Sequence, residues 1–491
     1  MKRLILAVDA GTSSFRTALY DFKGRMIDQS MSRQSYELET DVSGRATLSG
    51  EVIIAAFEGC LQKTLESVGN DSEVKIEAAS LSFFWHSVVG LDSKQRPVTS
   101  VMTWADGRCR KEAEGLRKKW SEKEYHSNTG CMLRSAFWPA KLVWLRKTDP
   151  RCWKRVVTWV SPAELILQRM TGQLFISHSM AAGTGLYDQR AMGWSKKWCE
   201  RFGLQKESLP VISNEGKLTS EKGALRFPQL RETKWFAGIG DGAASNLGLG
   251  ATDPKVVAIN FGTSAAIRIL TSMPQREIPE GLFCYRLDQK RVLVGGAITN
   301  AGVIRSWFDR VYGLAEEREL KKSKKEIQRS ILWSLPFLAP ERAPSWPEEL
   351  PAVTIGFQLE SRKQDHYDSM MEASFLRLNR IRYSLQKWSG KKLSYRLGGG
   401  LAGTGAMVQK LADLFESPVA VVEESEASIR GAAIYALEQS GEKPNLPQAI
   451  KEYQPNRMVS KIYQAQTKQQ QVIEEEYLHF YKKCRKRGVQ F

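Results

Sequence analysis

Three small groups of residues in this 491-residue chain have the types and spacing that chemistry asks for. The first is residues 238–250, Gly-Ile-Gly-Asp-Gly-Ala-Ala-Ser-Asn-Leu-Gly-Leu-Gly, where one carboxylate, Asp241, stands between Gly240 and Gly242. Flanking glycines let a second backbone or a ligand come close. The apolar run before Asp241 reads as the end of a buried strand, and the small residues after it read as a helix start. A lone carboxylate at such a junction suits a general base for an incoming hydroxyl. It suits a helix cap equally.

The second group is Asp9-Ala-Gly11-Thr12-Ser13-Ser14, which follows the β-rich run 4–8 and precedes a second run, 16–20. A hairpin tip of this kind exposes backbone N–H groups and two hydroxyls, which are donors for phosphate oxygens. Asp9, at the strand end, suits magnesium, directly or through water. By itself the tip is equally an ordinary turn, but it recurs. Asn260-Phe-Gly262-Thr263-Ser264 repeats the pattern 251 residues later. That duplication predicts two similar domains, each opening on its own hairpin, with a polyphosphate gripped between the tips. Asp241 falls 19 residues before Asn260, close to the junction where a cleft is expected.

The third group is Met102-Thr-Trp104-Ala-Asp106-Gly-Arg108. Trp104 can pack on the carbon face of a polyhydroxy ligand, Asp106 can accept from hydroxyls, and Arg108 can meet an anion. An exposed loop with one half-buried Trp is the plainer alternative. His86 ends the strand 78–84, where a histidine satisfied within the fold is as good a reading. Lys141, on a helix opened by Pro139, is expected to be solvated. The triplet Gly398, Gly399 and Gly400 lies at a strand-to-helix turn that either admits a flat base and ribose or simply packs tightly.

The elements that must hold these groups alternate along the chain. The opening reads strand, hairpin, strand, turn and a third strand at 26–30. Residues 51–68 carry Val52, Ile53, Ala56, Phe57, Cys60, Leu61 and Leu65 at helical spacing. The small-residue segment 177–188 is expected to pack closely beneath the site. Residues 316–329 read as a charged helix, 333–351 as a proline-rich ordered loop, 367–388 as a long amphipathic helix and 440–491 as a polar helical tail.

Length implies two or three domains, and 42% hydrophobic with 26% charged residues is ordinary for a soluble protein. No run approaches the ~20 apolar residues of a membrane span. Seven scattered cysteines without a CxxC fit a reducing cytoplasm rather than a disulfide framework or structural zinc. The net charge of +18 is spread along the chain, and no nucleic-acid motif accompanies it.

The chain resembles the FGGY carbohydrate kinases of the actin-like ATPase fold. The matching pieces are Asp9-Ala-Gly-Thr-Ser-Ser-Phe-Arg16, His86 with Thr103-Trp-Ala-Asp106, Gly240-Asp-Gly242, Gly262-Thr-Ser264, Pro336-Phe-Leu-Ala-Pro-Glu-Arg-Ala-Pro344, Gly398-Gly-Gly400 and Ala427-Ser-Ile-Arg-Gly-Ala-Ala433. They follow the family's order, although Pro340 stands where the family usually has Gly. Residues 85–92, 103–106 and 179–185 look like the gluconate-kinase branch.

The resemblance implies an α/β chain of two actin-like (ribonuclease H-like) domains, 1–245 on the sugar side and 246–491 on the nucleotide side, with a deep cleft between them. It implies ATP-dependent phosphorylation of a sugar or sugar acid, gluconate first, with another sugar such as a ketopentose or a non-catalytic sugar-binding regulator as alternatives. Asp241 would be the base and would also touch the acceptor, and Asp9 would position magnesium. Gly11, Thr12, Ser13 and Arg16 would meet phosphates from one side, Gly262 and Thr263 from the other. Gly398, Gly399 and Gly400 would bear on the adenosine, and His86, Trp104 and Asp106 would line the sugar site. The implied partners are the sugar and the nucleotide, without nucleic acid or membrane; a homodimer is compatible, and the expected location is the cytoplasm.

Overall fold

The computed structural model describes residues 2–69, 74–213, 218–219, 222–313, 332–399 and 405–489. The helix expected at 316–329 and the third glycine of the triplet, Gly400, lie outside the described residues.

Two seven-stranded sheets organise the chain. The first contains β1 (Lys2–Ala10), β2 (Ser14–Tyr20), β3 (Ser32–Ser35), β4 (Val74–Phe83), β5 (Leu218–Thr219), β6 (Lys234–Trp235) and β7 (Ile239–Gly240). Its order is β5-β6-β4-β1-β2-β3, with β7 also on β4. The second contains β8 (Val256–Phe261), β9 (Ala265–Ser272), β10 (Phe283–Arg286), β11 (Arg291–Ile298), β12 (Ser394–Gly398), β13 (Val419–Val422) and β14 (Ala449–Tyr453), in the order β10-β11-β9-β8-β12-β13-β14.

The same plan underlies both sheets. β1 runs antiparallel to β2 and parallel to β4; β8 runs antiparallel to β9 and parallel to β12. The duplicated tips are therefore duplicated folds. The first tip holds one residue more, since Ala10 pairs with Phe15 whereas Phe261 pairs with Ala265. Leu4 to Val8 are fully buried, as a strand inside a sheet covered on both faces requires.

Helix α1 (Gly50–Glu66) lays Ile53, Ala56, Phe57, Cys60, Leu61 and Leu65 on the first core. Val52, grouped with that face in the sequence, stands 42% exposed, because its position is rotated away from the 3.6-residue stripe. The second core gathers β8, β9, β11, the helix α2 (Lys363–Ser389), which ends on Gly390 at φ 63°, and the helix α3 (Gly405–Phe415).

Two expectations need correction. The third strand is at Ser32–Ser35, not at 26–30. Residues 27–30 form a turn in which Ser30 Oγ donates to Ile27 O (2.7 Å) and accepts from the Leu19 N–H (3.1 Å). The tail is not wholly helical. Before its helix it contributes β14, a largely exposed edge strand with no apolar alternation to announce it.

The boundary expected between residues 245 and 246 falls inside a helix, Asp241–Gly248. That helix packs on Ala427–Gln439, whose Ile429, Ala432, Ile434 and Leu437 belong to the first core although they come from the far end of the sequence. The approach is close: a Cβ on Gly431 would lie 1.8 Å from Ala244 O, and one on Gly248 the same distance from Ala427 O. Among the described residues no helix is long and apolar enough to cross a membrane.

Candidate active site

The strands β1, β4 and β7 are parallel neighbours, and their C-terminal ends deliver Asp9, the Trp85–His86 pair and Asp241 to one edge of the first sheet. This is where parallel α/β sheets place their ligands. In the second sheet the ends of β8 and β12 deliver Asn260 and Gly398 in the corresponding places.

Asp241 is the first residue of its helix, and Gly240 takes the cap position. The helix-cap reading therefore does not hold for the carboxylate, whose Oδ1 accepts, among the described residues, only the N–H of the next residue, Gly242, at 2.7 Å. The flanking glycines have a specific cause. A Cβ on Gly240 would fall 1.7 Å from Trp85 Cε2; one on Gly242 would meet Trp85 Cζ3 at 2.9 Å and Arg268 Nε at 3.0 Å. Trp85 is itself fixed by Nε1 donating to Ser179 O (2.9 Å), with Gly183 against its ring. Ser179 Oγ accepts the Gly240 N–H (3.0 Å), so the segment 177–183 does pack directly beneath Asp241.

Asp241 is half-buried, and burial raises its pKa to about 6. Arg268, the Gly242 N–H and Arg342 oppose that rise, and Asp9 adds to it. At neutral pH the group is thus mostly ionised with a proton affinity close to ambient, as a general base requires.

Asp9 is 2% exposed, and burial raises its pKa too. It faces Arg16 across the β1–β2 ladder, Oδ2 to Nη1 at 3.6 Å. The same Nη1 binds Glu426, the residue before the helix Ala427–Gln439. Two carboxylates thus flank one guanidinium. No group of three or more His, Cys, Asp or Glu that could hold a metal occurs among the described residues. Asp9 and Glu426 offer hard oxygens that fit magnesium only as a partial shell, with phosphate and water completing it.

The hairpin tips divide their labour unexpectedly. The N–H groups of Gly11 and Gly262 are spent inside the turns, on Ser14 O (3.0 Å) and Ser264 O (2.9 Å). Thr12, Ser13 and Thr263 keep their N–H groups without a protein partner among the described residues. The second tip is tied down by the N–H groups of Gly302 and Val303, each 3.0 Å from the Gly262 and Thr263 carbonyls respectively. Gly398 is closed against Leu249, whose Cδ2 a Cβ would meet at 2.2 Å, and Gly399 sits at φ 96°. Close packing and backbone angle thus account for these two glycines without a ligand.

Just past the end of β4, His86 has φ 68°, shares its Nδ1 with Gly183 O (2.6 Å) and lies against Phe137 and Tyr285 with centroids 4.7 and 5.3 Å away. Burial lowers its pKa to about 3, so it is a neutral wall. Lys141 is not solvated. It is 1% exposed behind His86, donating from Nζ to His86 O (2.9 Å) and to Ala136 O, and burial lowers its pKa to about 8. Asp106 and Arg108 bind each other, Oδ2 to Nη2 at 2.6 Å, and the guanidinium lies 4.3 Å from the Trp144 ring. Arg108 therefore holds Asp106 in place of meeting an outside anion. Trp104 is covered by Arg342, 5.0 Å away, which arrives from the proline-rich loop.

Arg268, Arg342, Tyr285 and Glu426 were not singled out by the sequence. Arg268 stood in the repeated segment and Arg342 in the loop motif. Only the folding of distant segments onto Asp241 and Trp104 gives them a place.

Model matches cover nearly the whole chain: the FGGY family of carbohydrate kinases, N-terminal domain, at residues 4–248, and its C-terminal domain at 257–439. A gluconokinase of Bacillus licheniformis is 26% identical over 462 residues, covering 90% of this chain and 88% of the relative. A xylulose kinase of Lactococcus lactis subsp. lactis is 25% identical, covering 84% and 83%. Among solved structures, the gluconate kinase from Lactobacillus acidophilus superposes with TM-score 0.85 at 24% identity, over 97% of this chain and 98% of that one; this shows the shared fold. With two like-built lobes and matches along both, the chain belongs to the FGGY family of carbohydrate kinases and is an enzyme that phosphorylates sugars.

Proposed function

We propose that this kinase transfers the terminal phosphoryl group of ATP to gluconate, giving 6-phosphogluconate, with Asp241 as the general base. The observation that carries the reading is the Asp241 carboxylate, with a pKa of about 6, at the helix start between the sugar wall and the Asp9 cluster. The relatives described as gluconokinases support the choice of acceptor.

In this reading Asp241 takes the proton of the acceptor hydroxyl as its oxygen attacks the phosphorus and ADP departs. Thr12, Ser13 and Thr263 donate their N–H groups to phosphate oxygens, with Gly11 and Gly262 shaping the turns. Gly398 and Gly399 shape the surface beside the adenosine, and Arg16 anchors Asp9 and Glu426. Magnesium, held by Asp9 and Glu426 with phosphate oxygens, would neutralise charge on the transferred group. His86, Trp104 and Asp106 orient the acceptor; positioning and charge neutralisation are what phosphoryl transfer needs most. The same reading gives the sugar to residues 1–245 and the nucleotide to 246–491, with Arg268 and Arg342 reaching across.

ADP release measured over a panel of sugars and sugar acids tests the acceptor. Asp241→Asn is expected to lower kcat by roughly 10²–10⁴-fold; wild-type kcat in that variant would remove the base assignment. A ketopentose acceptor is the second reading, favoured by the xylulose kinases among the relatives, and the same panel separates it.

A further inference from the structure

Two guanidinium groups act electrostatically on Asp241, and neither has a carboxylate within ion-pair distance among the described residues. Arg268 comes from β9 and lies beside Gly242 and the Trp85 indole. Its Nη1 donates to Asn260 Oδ1 (2.7 Å) and reaches Gly242 O only at 3.5 Å. Nε and Nη2 have no protein partner among the described residues, and the side chain is only half-buried, so these donors face open space. Arg342 lies over Trp104, with Nε on Thr299 Oγ1 and Nη2 on Ile298 O, both 3.2 Å, and Nη1 uncommitted.

Charge bookkeeping makes the arrangement unusual. Burial lowers the pKa of both arginines, that of Arg268 to about 10, and Arg342 lowers that of Arg268 further. Their neighbours cannot answer them. His86 is neutral, Tyr285 is held as the phenol, and Asp106 is taken by Arg108. Glu341, next to Arg342, spends its carboxylate on the N–H groups of Thr299, Asn300 and Arg342. Asp241 and Glu341 are the carboxylates that favour these two charges, and neither forms an ion pair with either guanidinium among the described residues. Guanidinium N–H groups of both arginines are therefore left without a carboxylate in contact among the described residues, and the Lys141 ammonium lies behind His86. Two like charges held near one another favour an anion between them.

We propose that Arg268 and Arg342 are the seat of a carboxylate on the acceptor, and that they select a polyol acid over the neutral polyol of the same chain length. The proposal rests on the kinase reading above and deepens it. Arg268 belongs to the acceptor and not to the phosphates. It touches the Trp85 side of Asp241, whereas the groups around Asp9 are Arg16, Glu426 and two serines. An acid places its carboxylate where two planar forks can bind it, and discrimination by such charge-assisted bonds is strong in a site that excludes water.

The test compares D-gluconate with D-glucitol, which replaces the carboxylate by CH2OH. kcat/KM is measured by ADP release in the wild type and in Arg268→Gln, Arg268→Lys and Arg342→Gln, and binding is measured by calorimetry without ATP. The wild type is expected to prefer gluconate by about 100-fold or more, and each Gln variant to narrow that ratio by about tenfold or more, chiefly through the gluconate KM. Arg268→Lys should recover part of the loss. Equal wild-type preference overturns the proposal. So does an equal fall for both substrates in the variants, which would make these arginines phosphoryl or structural groups. If a variant does not fold, as judged by circular dichroism, the wild-type ratio and wild-type binding still decide. Gluconate binding that weakens in Arg268→Gln, with no ADP released from any sugar, would keep the acid seat and remove the kinase reading.

Discussion

Gly240 and Trp85 are in contact so tight that a single methyl group on Gly240 would fall 1.7 Å from the indole Cε2. Gly240 has an ordinary φ of −67°, so its backbone does not demand glycine; the indole does. Gly240→Ala is therefore expected to push Trp85 off its bond to Ser179, move the start of the Asp241 helix and cost about 1–3 kcal/mol of stability. Activity should fall with it. Trp85→Phe in the Gly240→Ala background should restore part of both, because the smaller ring leaves room. Melting temperatures and kcat/KM for the two single variants and the double variant check this; additive losses would show that the contact is not what couples them.

With Asp241 as the proposed base, acceptor kcat/KM at saturating MgATP should lose a decade per pH unit below about 6 and level off above it, because only the ionised carboxylate can take a proton. Stability runs the opposite way. A carboxylate whose folded pKa lies above its ordinary value of 3.8 stabilises the fold fully below that value, and the contribution is lost as pH rises through about 6. Asp241→Asn should thus raise the melting temperature at pH 7–8, by at most about 3 kcal/mol in free energy, with the gain vanishing below pH 4. A more stable, inactive variant is the signature of a group kept for function. pH-dependent melts of the two proteins read it directly.

The hairpins were legible because a tip is written in consecutive residues, and the second copy turned an ordinary turn into a domain duplication. Asp241 was legible for a related reason, its two glycines, although what they make room for left no mark beside them: Trp85 lies 155 residues before Gly240 and Arg268 lies 26 after Gly242. Arg268 and Arg342 had no signature at all. One arginine in a strand and another in a proline-rich loop acquire meaning only when folding sets both against Asp241. Lys141 misled because helical position says nothing about a neighbour such as His86, whose carbonyl its ammonium reaches. The strand β14 was hidden because an exposed edge needs no apolar alternation.

Among the charges around Asp241, Arg268 is the strongest one holding its pKa down. Arg268→Met is therefore expected to move the acid limb of the pH profile above 6, for acid and neutral acceptors alike, in addition to any change in acceptor preference. The comparison is the kcat/KM profile of wild type and variant on one acceptor. An unmoved limb would mean that the guanidinium is screened from the carboxylate.

Glu426 and Asp9 share the Nη1 of Arg16, and Glu426 also raises the pKa of Asp9. Two carboxylates on one guanidinium leave one negative charge unmatched, which suits the proposed magnesium, and removing Glu426 takes that charge away. Glu426→Gln leaves Asp9 paired to Arg16 alone and takes away one hard oxygen. Half-saturating magnesium is expected to rise by about tenfold or more. The acceptor KM should shift far less, because the residues proposed to orient the acceptor, His86, Trp104 and Asp106, come from other segments. A magnesium titration of ADP release, with a chelator-treated control that should be inactive, measures both. A variant that melts earlier but keeps the wild-type magnesium curve would instead make Glu426 a clamp on Arg16, leaving Asp9 as the single protein carboxylate for the ion.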